Sequence, residues 1–232
     1  MKQPIILCFL ILTGIMNTSA QTKKPGKHFT ETLMQDNCTF VSEGRNTYFI
    51  LEVGYRQTLQ GIAGSDTTTL IITVLNETRK IGNIETRVVE ENEMKNGKPV
   101  EISRNFFAFC KQTSAVYYFG EEVDIYKDGK IVSHDGAWIA EGKNKSGVQM
   151  PGLVLLGSRY YQEIAPGIAM DRAEIISLTE SMTTSAGHFA DVLKIEETTP
   201  LEPKDKAYKY YAPGIGLIKD GELVLVKYGF EK

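Results

Sequence analysis

Two carboxylates, Glu163 and Glu174, carry the most specific chemistry that side chains of this sequence could perform. Facing one cleft on neighbouring strands about 5–10 Å apart, such a pair supplies the acid and the nucleophile or base of glycoside hydrolysis. Nothing in their spacing sets that separation. Nucleophilic catalysis has less support: no serine stands in a Gly-x-Ser-x-Gly elbow, and Gly64-Ser65-Asp66 reads as a turn. His28, His134 and His188 follow no metal-ligand spacing, so His134, Asp135 and His188 read as turn and surface residues rather than a zinc site. Glu121, Glu122 and Asp124 precede an Asp-Gly pair, yet Asp124-x-x-x-Asp128-Gly129 is not a calcium loop. Alternation sends Glu122 and Asp124 to one face and Glu121 to the other, and the group reads as a solvated strand edge. No cofactor, metal or catalytic residue is expected.

Aromatic residues give the stronger signal. Tyr117, Tyr118, Phe119, Trp138, Tyr160, Tyr161, Tyr208, Tyr210 and Tyr211 fall in strand-like segments. Consecutive ones must point to opposite faces of a sheet, so some lie outside a single core layer. On a curved sheet the second face can line a groove, where Tyr offers an apolar body with a polar tip. Trp138, Tyr160, Tyr161, Tyr210 and Tyr211, with Glu163 and Glu174, are the candidate ligand-binding set. The competing reading is a second core layer covered by other parts of the chain.

The elements that must position these residues are strands. Residues 69–75 and 85–89 are rich in β-branched side chains, with Ile81-Gly82-Asn83 between them as a turn. Lys95-Asn96-Gly97-Lys98 and Lys127-Asp128-Gly129-Lys130 suit type I′ hairpin turns. Lys219-Asp220-Gly221-Glu222 adds another turn, before a run from Leu223 to Phe230 with two apolar faces that predicts burial on both sides, at least in part. Ala165-Pro166-Gly167-Ile168 recurs as Ala212-Pro213-Gly214-Ile215, each a type II corner at a strand end. Residues 29–35 could form one short helix; helical periodicity is otherwise absent. The fold class is all-β, an antiparallel meander of about ten strands curved into an open or half-closed barrel with little helix.

Residues 1–20 have the form of a secretory signal peptide, with Lys2, an apolar run over residues 5–15 and Thr18-Ser19-Ala20 at its end. The run is too short and too interrupted for a membrane span, so no transmembrane anchor is expected after cleavage. Residues 21–45 are expected to be a flexible or short helical N-terminal segment, and residues 46–232 a single β domain. Loss of Lys2 moves the net charge from −3 to −4 and leaves no long basic run, which argues against nucleic acid as a partner. Cys38 and Cys110 are then the two remaining cysteines. An exported location permits a bridge between them, closing about 70 residues and worth on the order of 4 kcal/mol; the alternative is two buried thiols.

From Asn46 to Leu217 the chain resembles a family of exported bacterial proteins with no established activity. The resemblance rests on Tyr118-Phe119-Gly120-Glu121-Glu122-Val123, Gly136-Ala137-Trp138, Met150-Pro151, Tyr161-Gln162-Glu163 with Ala165-Pro166-Gly167, Ala186-Gly187-His188-Phe189 and Lys209-Tyr210-Tyr211-Ala212-Pro213-Gly214-Ile215-Gly216-Leu217. Thr47, Ile50 and Ser158 depart from its pattern, and Cys38 and Cys110 are unusual for it, which favours their pairing. The Ala186–Leu193 stretch is also similar to a strand entry of lipoprotein-carrier-type curved sheets, a likeness of architecture alone.

These readings converge on an exported envelope protein, periplasmic or extracellular. Its expected role is non-enzymatic binding of an apolar or amphipathic small molecule, or of an envelope protein, in a groove of the curved sheet. The alternatives are a carbohydrate-active hydrolase using Glu163 and Glu174, and a purely structural envelope protein.

Overall fold

The computed structural model describes residues 26–230. The signal peptide expected over residues 1–20, and the first part of the N-terminal segment expected over residues 21–45, as far as residue 25, lie outside them. Three short strands, β1 (Phe40–Val41), β2 (Gly44–Arg45) and β3 (Ile50–Leu51), precede five long ones: β4 (Tyr55–Ala63), β5 (Asp66–Ile81), β6 (Ile84–Lys95), β7 (Lys98–Cys110) and β8 (Val116–Lys127). Shorter pieces follow as β9 (Lys130–Ser133), β10 (Trp138–Ile139), β11 (Lys145–Met150), β12 (Arg159–Tyr161) and β13 (Glu163–Ile164). The chain ends on β14 (Arg172–Thr184), β15 (Gly187–Thr198), β16 (Ala207–Ala212), β17 (Gly216–Asp220) and β18 (Leu223–Phe230).

Neighbouring strands pair antiparallel in the order β12-β14-β15-β16-β17-β18-β4-β5-β6-β7-β8-β11-β13. The two ends of this order, β12 and β13, are separated in the chain by Gln162 alone. A single bent segment, residues 159–164, thus pairs with β14 through its first half and with β11 through its second. Pairing on both sides curls the sheet into a nearly closed barrel and leaves it an inside. The expected all-β meander, curved and nearly without helix, is what the chain forms, with more and shorter strands than the turn spacing implied.

Turn chemistry fixes the hairpins. Asn96 and Gly97 have φ of 51° and 75°, and Asp128 and Gly129 have 53° and 74°, the left-handed pair that a type I′ turn requires. At both Ala-Pro-Gly-Ile corners the Ile amide donates to the Ala carbonyl, at 2.9 Å for Ile168 and 3.1 Å for Ile215. The turn after β17 is displaced by one residue from expectation, because Asp220 already pairs with Leu223. Leu225 is buried on β18, but Lys227, Tyr228 and Phe230 are exposed, so burial of this strand fades toward its end.

The short helix expected over residues 29–35 shrinks to one 3-10 turn at Gln35–Asn37. Thr30 is committed elsewhere: its amide donates to the Arg159 carbonyl at 3.0 Å, and its carbonyl accepts from the Tyr161 amide at 2.9 Å. A backbone bonded to the closing segment cannot also supply a helical ladder. Beyond this contact Phe40 packs edge-on against Tyr117 and Phe119 at 5.3 and 5.4 Å, covering aromatics on the outer face of β8. Cys38 and Cys110 are joined in a disulfide that ties this N-terminal strap to β7.

Closure requires close backbone approach where β11 meets the bent segment. A Cβ at Gly147 would stand 2.3 Å from the Gln162 carbonyl oxygen. Gly147→Ala should therefore cost about 1–3 kcal/mol or more in chemical unfolding, by forcing β11 off the closing segment; an unchanged midpoint would show that the approach is not needed. Replacing both Cys38 and Cys110 with Ser should cost on the order of 4 kcal/mol by releasing the loop, and the intact protein unfolded without reductant should show neither thiol.

Candidate functional site

Period-two alternation decides what the barrel holds. On β7, Glu101, Ser103, Asn105 and Phe107 share the inward face; Glu121 and Tyr118 of β8 register beside Asn105 and Phe107, and Gln149, Gln162 and Glu163 line the same space. With Glu91, Asp171, Glu197 and Lys209 they line a polar cavity of about 300 Å³. An adjoining apolar compartment of about 70 Å³ shares Glu91, Phe107, Gln149 and Lys209 with it and is walled by Phe49, Ile72, Val74, Val89, Tyr211 and Leu217. The interior thus grades from acidic to apolar.

Six carboxyls, Glu91, Glu101, Glu121, Glu163, Asp171 and Glu197, face one ammonium, Lys209, around the polar cavity. Lys209 lies 3.0 Å from Glu197 and 3.8 Å from Asp220. Burial works against its charge, but those two carboxylates prevail and hold its pKa well above the usual lysine range. The other acids are left with too little compensation. Burial, reinforced by neighbouring carboxylates, pushes Glu91 and Glu121 up to about 7. Glu163 is driven well above the carboxylate range by burial and then by Asp171 and Glu121. Asp171 and Asp220 rise for the same first reason, desolvation.

Neutral polar groups hold this wall in place. Tyr118 donates its hydroxyl to Asn105 Oδ1, and Asn105 Nδ2 donates to Ser103 Oγ at 3.1 Å. Gln162, only 4% exposed, donates Nε2 to Glu197 Oε1 at 2.9 Å, while its Oε1 has no partner among the described residues. No three described His, Cys, Asp or Glu side chains are grouped as a metal ion would require.

The structure brings together only part of the set read from the sequence. Glu163 lines the polar cavity and Tyr211 the apolar compartment. Trp138 is buried against Tyr118, ring centroids 5.4 Å apart, and Tyr160 is buried at 1% exposure. Tyr161 packs on Phe29 at 6.0 Å, and Tyr210 lies beside Lys194 and Lys219. Glu174 is not in the cavity wall: it pairs with Arg159 at 2.8 Å and with Lys27, and those partners lower its pKa. Glu163 and Glu174 do not share a cleft. Glu121 is corrected from solvated edge to cavity wall; its neighbour Glu122 does face out, toward Arg79, as alternation required.

The residues missed were Glu91, Glu101, Ser103, Asn105, Asp171, Glu197 and Lys209. A signal was present in the polar side chains at every second position of β7, but alternation groups residues by face without saying which face is wet. Among the motif residues, Gly120 has φ +127°, and a Cβ there would stand 2.3 Å from the Trp138 carbonyl oxygen, so it is the site where β10 can lie against β8.

No protein-family model matches the chain, and no curated protein matches it. Among solved structures it is similar to a chain described as a putative lipoprotein from Parabacteroides distasonis, at 14% identity and a TM-score of 0.36, over 80% of this chain and 100% of that one. A score of that size carries no argument about function.

Cavity carboxyls with raised pKa bind protons in the folded state that the unfolded chain releases. Their stabilisation is full below the unfolded value of about 4.3 and is lost as pH climbs through about 7. Glu52, Glu174 and Glu196, lowered by hydrogen bonds from Arg45, Arg159 and Lys206, act in the opposite sense and lose their contribution only in acid. Thermal melts of the ligand-free protein should therefore peak near pH ~5 and decline toward pH ~8. Glu121→Gln should raise the melting temperature at the alkaline end; a variant less stable there than the parent would contradict the assignment.

Proposed function

We propose that this is an exported bacterial envelope protein, periplasmic or extracellular, that binds an amphipathic small molecule inside its barrel without transforming it. On this reading the leader over residues 1–20 is removed, residues 46–232 act as one β domain, and the chain belongs with the exported proteins its motifs resemble. One observation carries the proposal: the interior holds about 300 Å³ of space bordered by an apolar compartment, where a barrel built only for stability would be filled with side chains. The expectation of a ligand groove moves from the aromatic strand faces to the inside of the barrel. Hydrolysis by Glu163 with Glu174 has less support, since the two carboxyls do not border a common space.

Native mass spectrometry of protein purified gently from an exporting host should show an excess mass that disappears on denaturation. Ser103→Phe should abolish that excess while costing less than the ~1–3 kcal/mol of an overpacked core, because the ring enters empty space. Retention of the excess mass by the variant would place the ligand elsewhere. A bare mass in both proteins, with strong destabilisation by Phe, would favour a structural role.

A further inference from the structure

Outside the barrel, the loop over residues 151–158 that leads from β11 to β12 holds apolar side chains in water. Leu153, Leu155 and Leu156 are 73%, 55% and 68% exposed, while Val154 between them packs against the core. The loop is not slack. At its start, Gly152 lies so close to the turn between β7 and β8 that a Cβ there would stand 1.9 Å from the Thr113 carbonyl oxygen. At its end, the Gly157 amide donates to the Ile175 carbonyl at 2.8 Å, and the Ile175 amide donates to the Ser158 carbonyl at 3.0 Å. A backbone fixed at both ends thus presents three leucines whose burial would be favourable.

Shape, charge and the course of the chain agree on what covers them. The patch is small and convex, three side chains standing out within four residues, whereas a stable protein interface draws about 20–30 residues from each side. A second copy of the chain would bury too little there; a bilayer closes around a protruding loop. Residues 142–162 contain Lys143, Lys145 and Arg159 but no Asp or Glu. On the turn packed against Gly152, Lys111 is exposed, with no ion-pair partner among the described residues. The chain as a whole carries a net charge of −3, so only a locally cationic side can approach an anionic surface.

The described residues begin at Gly26, and Lys27 pairs with Glu174, next to the Ile175 that holds the base of the loop. Ahead of Gly26 the sequence supplies Lys23 and Lys24. The apolar run of the expected leader, residues 5–15, is the part that enters the exporting membrane, and residues 16–26 span at most roughly 40 Å. Export therefore delivers the barrel with this side next to a bilayer. Resting on the exported reading above, but not on interior binding, we infer that residues 153–156 dock the protein on an anionic bilayer. Leu153, Leu155 and Leu156 enter the boundary between headgroups and acyl chains, and Lys111 with the N-terminal lysines meets the lipid phosphates.

Flotation with two kinds of vesicle, phosphatidylcholine alone and phosphatidylcholine mixed with phosphatidylglycerol, tests this on the exported chain, with removal of the leader checked by intact mass. The parent should partition at least roughly tenfold more strongly to the mixed vesicles. Leu153→Ser/Leu155→Ser/Leu156→Ser should lower that partition by roughly tenfold or more. All three side chains are exposed, so the triple variant should keep the near-UV circular dichroism and the unfolding midpoint of the parent. Insertion has its own readout: bromine-labelled acyl chains should quench the indole introduced by Leu155→Trp and leave the buried Trp138 of the parent unquenched. Absence of vesicle binding, equal partition of parent and triple variant, or an unquenched indole would overturn the docking. Equal partition of the parent to the two kinds of vesicle would overturn the anionic assignment. Self-association of the parent without vesicles, lost in the triple variant, would give the leucines to a second copy instead. A leader still attached would contradict the cleavage expected after Ala20, and the comparison of parent with triple variant would still decide the docking, since both would carry it. None of these outcomes bears on interior binding, which the native-mass comparison tests separately.

Discussion

Backbone hydrogen bonds on both sides of residues 159–164 give this sheet an interior. Arg159, Tyr160 and Tyr161 register against Glu174, Ala173 and Arg172, and two residues later Glu163 and Ile164 register against Ser146 and Lys145. Without that double pairing β11 and β14 would be free edges, and the face that carries the carboxyls would lie open. Outside the barrel the same segment receives Thr30, so the N-terminal strap covers the seam, and the disulfide at Cys38 anchors the strap to β7. Gly147 and Gly120 belong to the same problem of close approach, one beside the seam and one beneath β10.

Enclosure changes the meaning of the charges. On an open strand Glu121 would be an ordinary solvated carboxylate; inside the barrel, near Glu91, Glu101 and Asp171, it holds a proton up to about pH 7. The exterior carboxyls have the opposite environment. Glu174 and Glu196 share Lys27, with Arg159 and Lys206 completing a ladder of opposite charges over the outer wall. One face of β15 thus carries Glu196 in a partly buried ion network with Lys27 and Lys206, and the other carries Glu197 against Lys209. Local consistency is given up on the inner face, where like charges gather around the cavity.

Much of the fold was legible because turns are local. Asn96-Gly97, Asp128-Gly129 and the two Ala-Pro-Gly-Ile corners each dictate a backbone conformation from side-chain chemistry at that position. Pairing of Cys38 with Cys110 was legible from the compartment and the count. Closure was not, since it depends on Gln162 lying between two short strands that no periodicity reveals. The inner site was hidden for a related reason: Glu101, Ser103 and Asn105 look like the wet side of a strand, and only the closed topology turns that side inward. Aromatic pairs were read correctly as facing two ways, but Tyr161 and Tyr210 turned out to serve contacts with Phe29 and with Lys194 and Lys219 rather than the cavity wall.

The central claim is that barrel closure gathers a cluster of carboxyls around an inner cavity and desolvates Glu91 and Glu121. Site-resolved carbon NMR titration of the glutamate side chains tests it most directly. Glu91 and Glu121 should titrate near pH 7, well apart from the exterior Glu174 and Glu196, which should titrate below the ordinary glutamate value. If all four titrate together near pH ~4.3, the carboxyls are solvated, the interior is not enclosed, and the account of this protein as an acid-lined barrel is wrong.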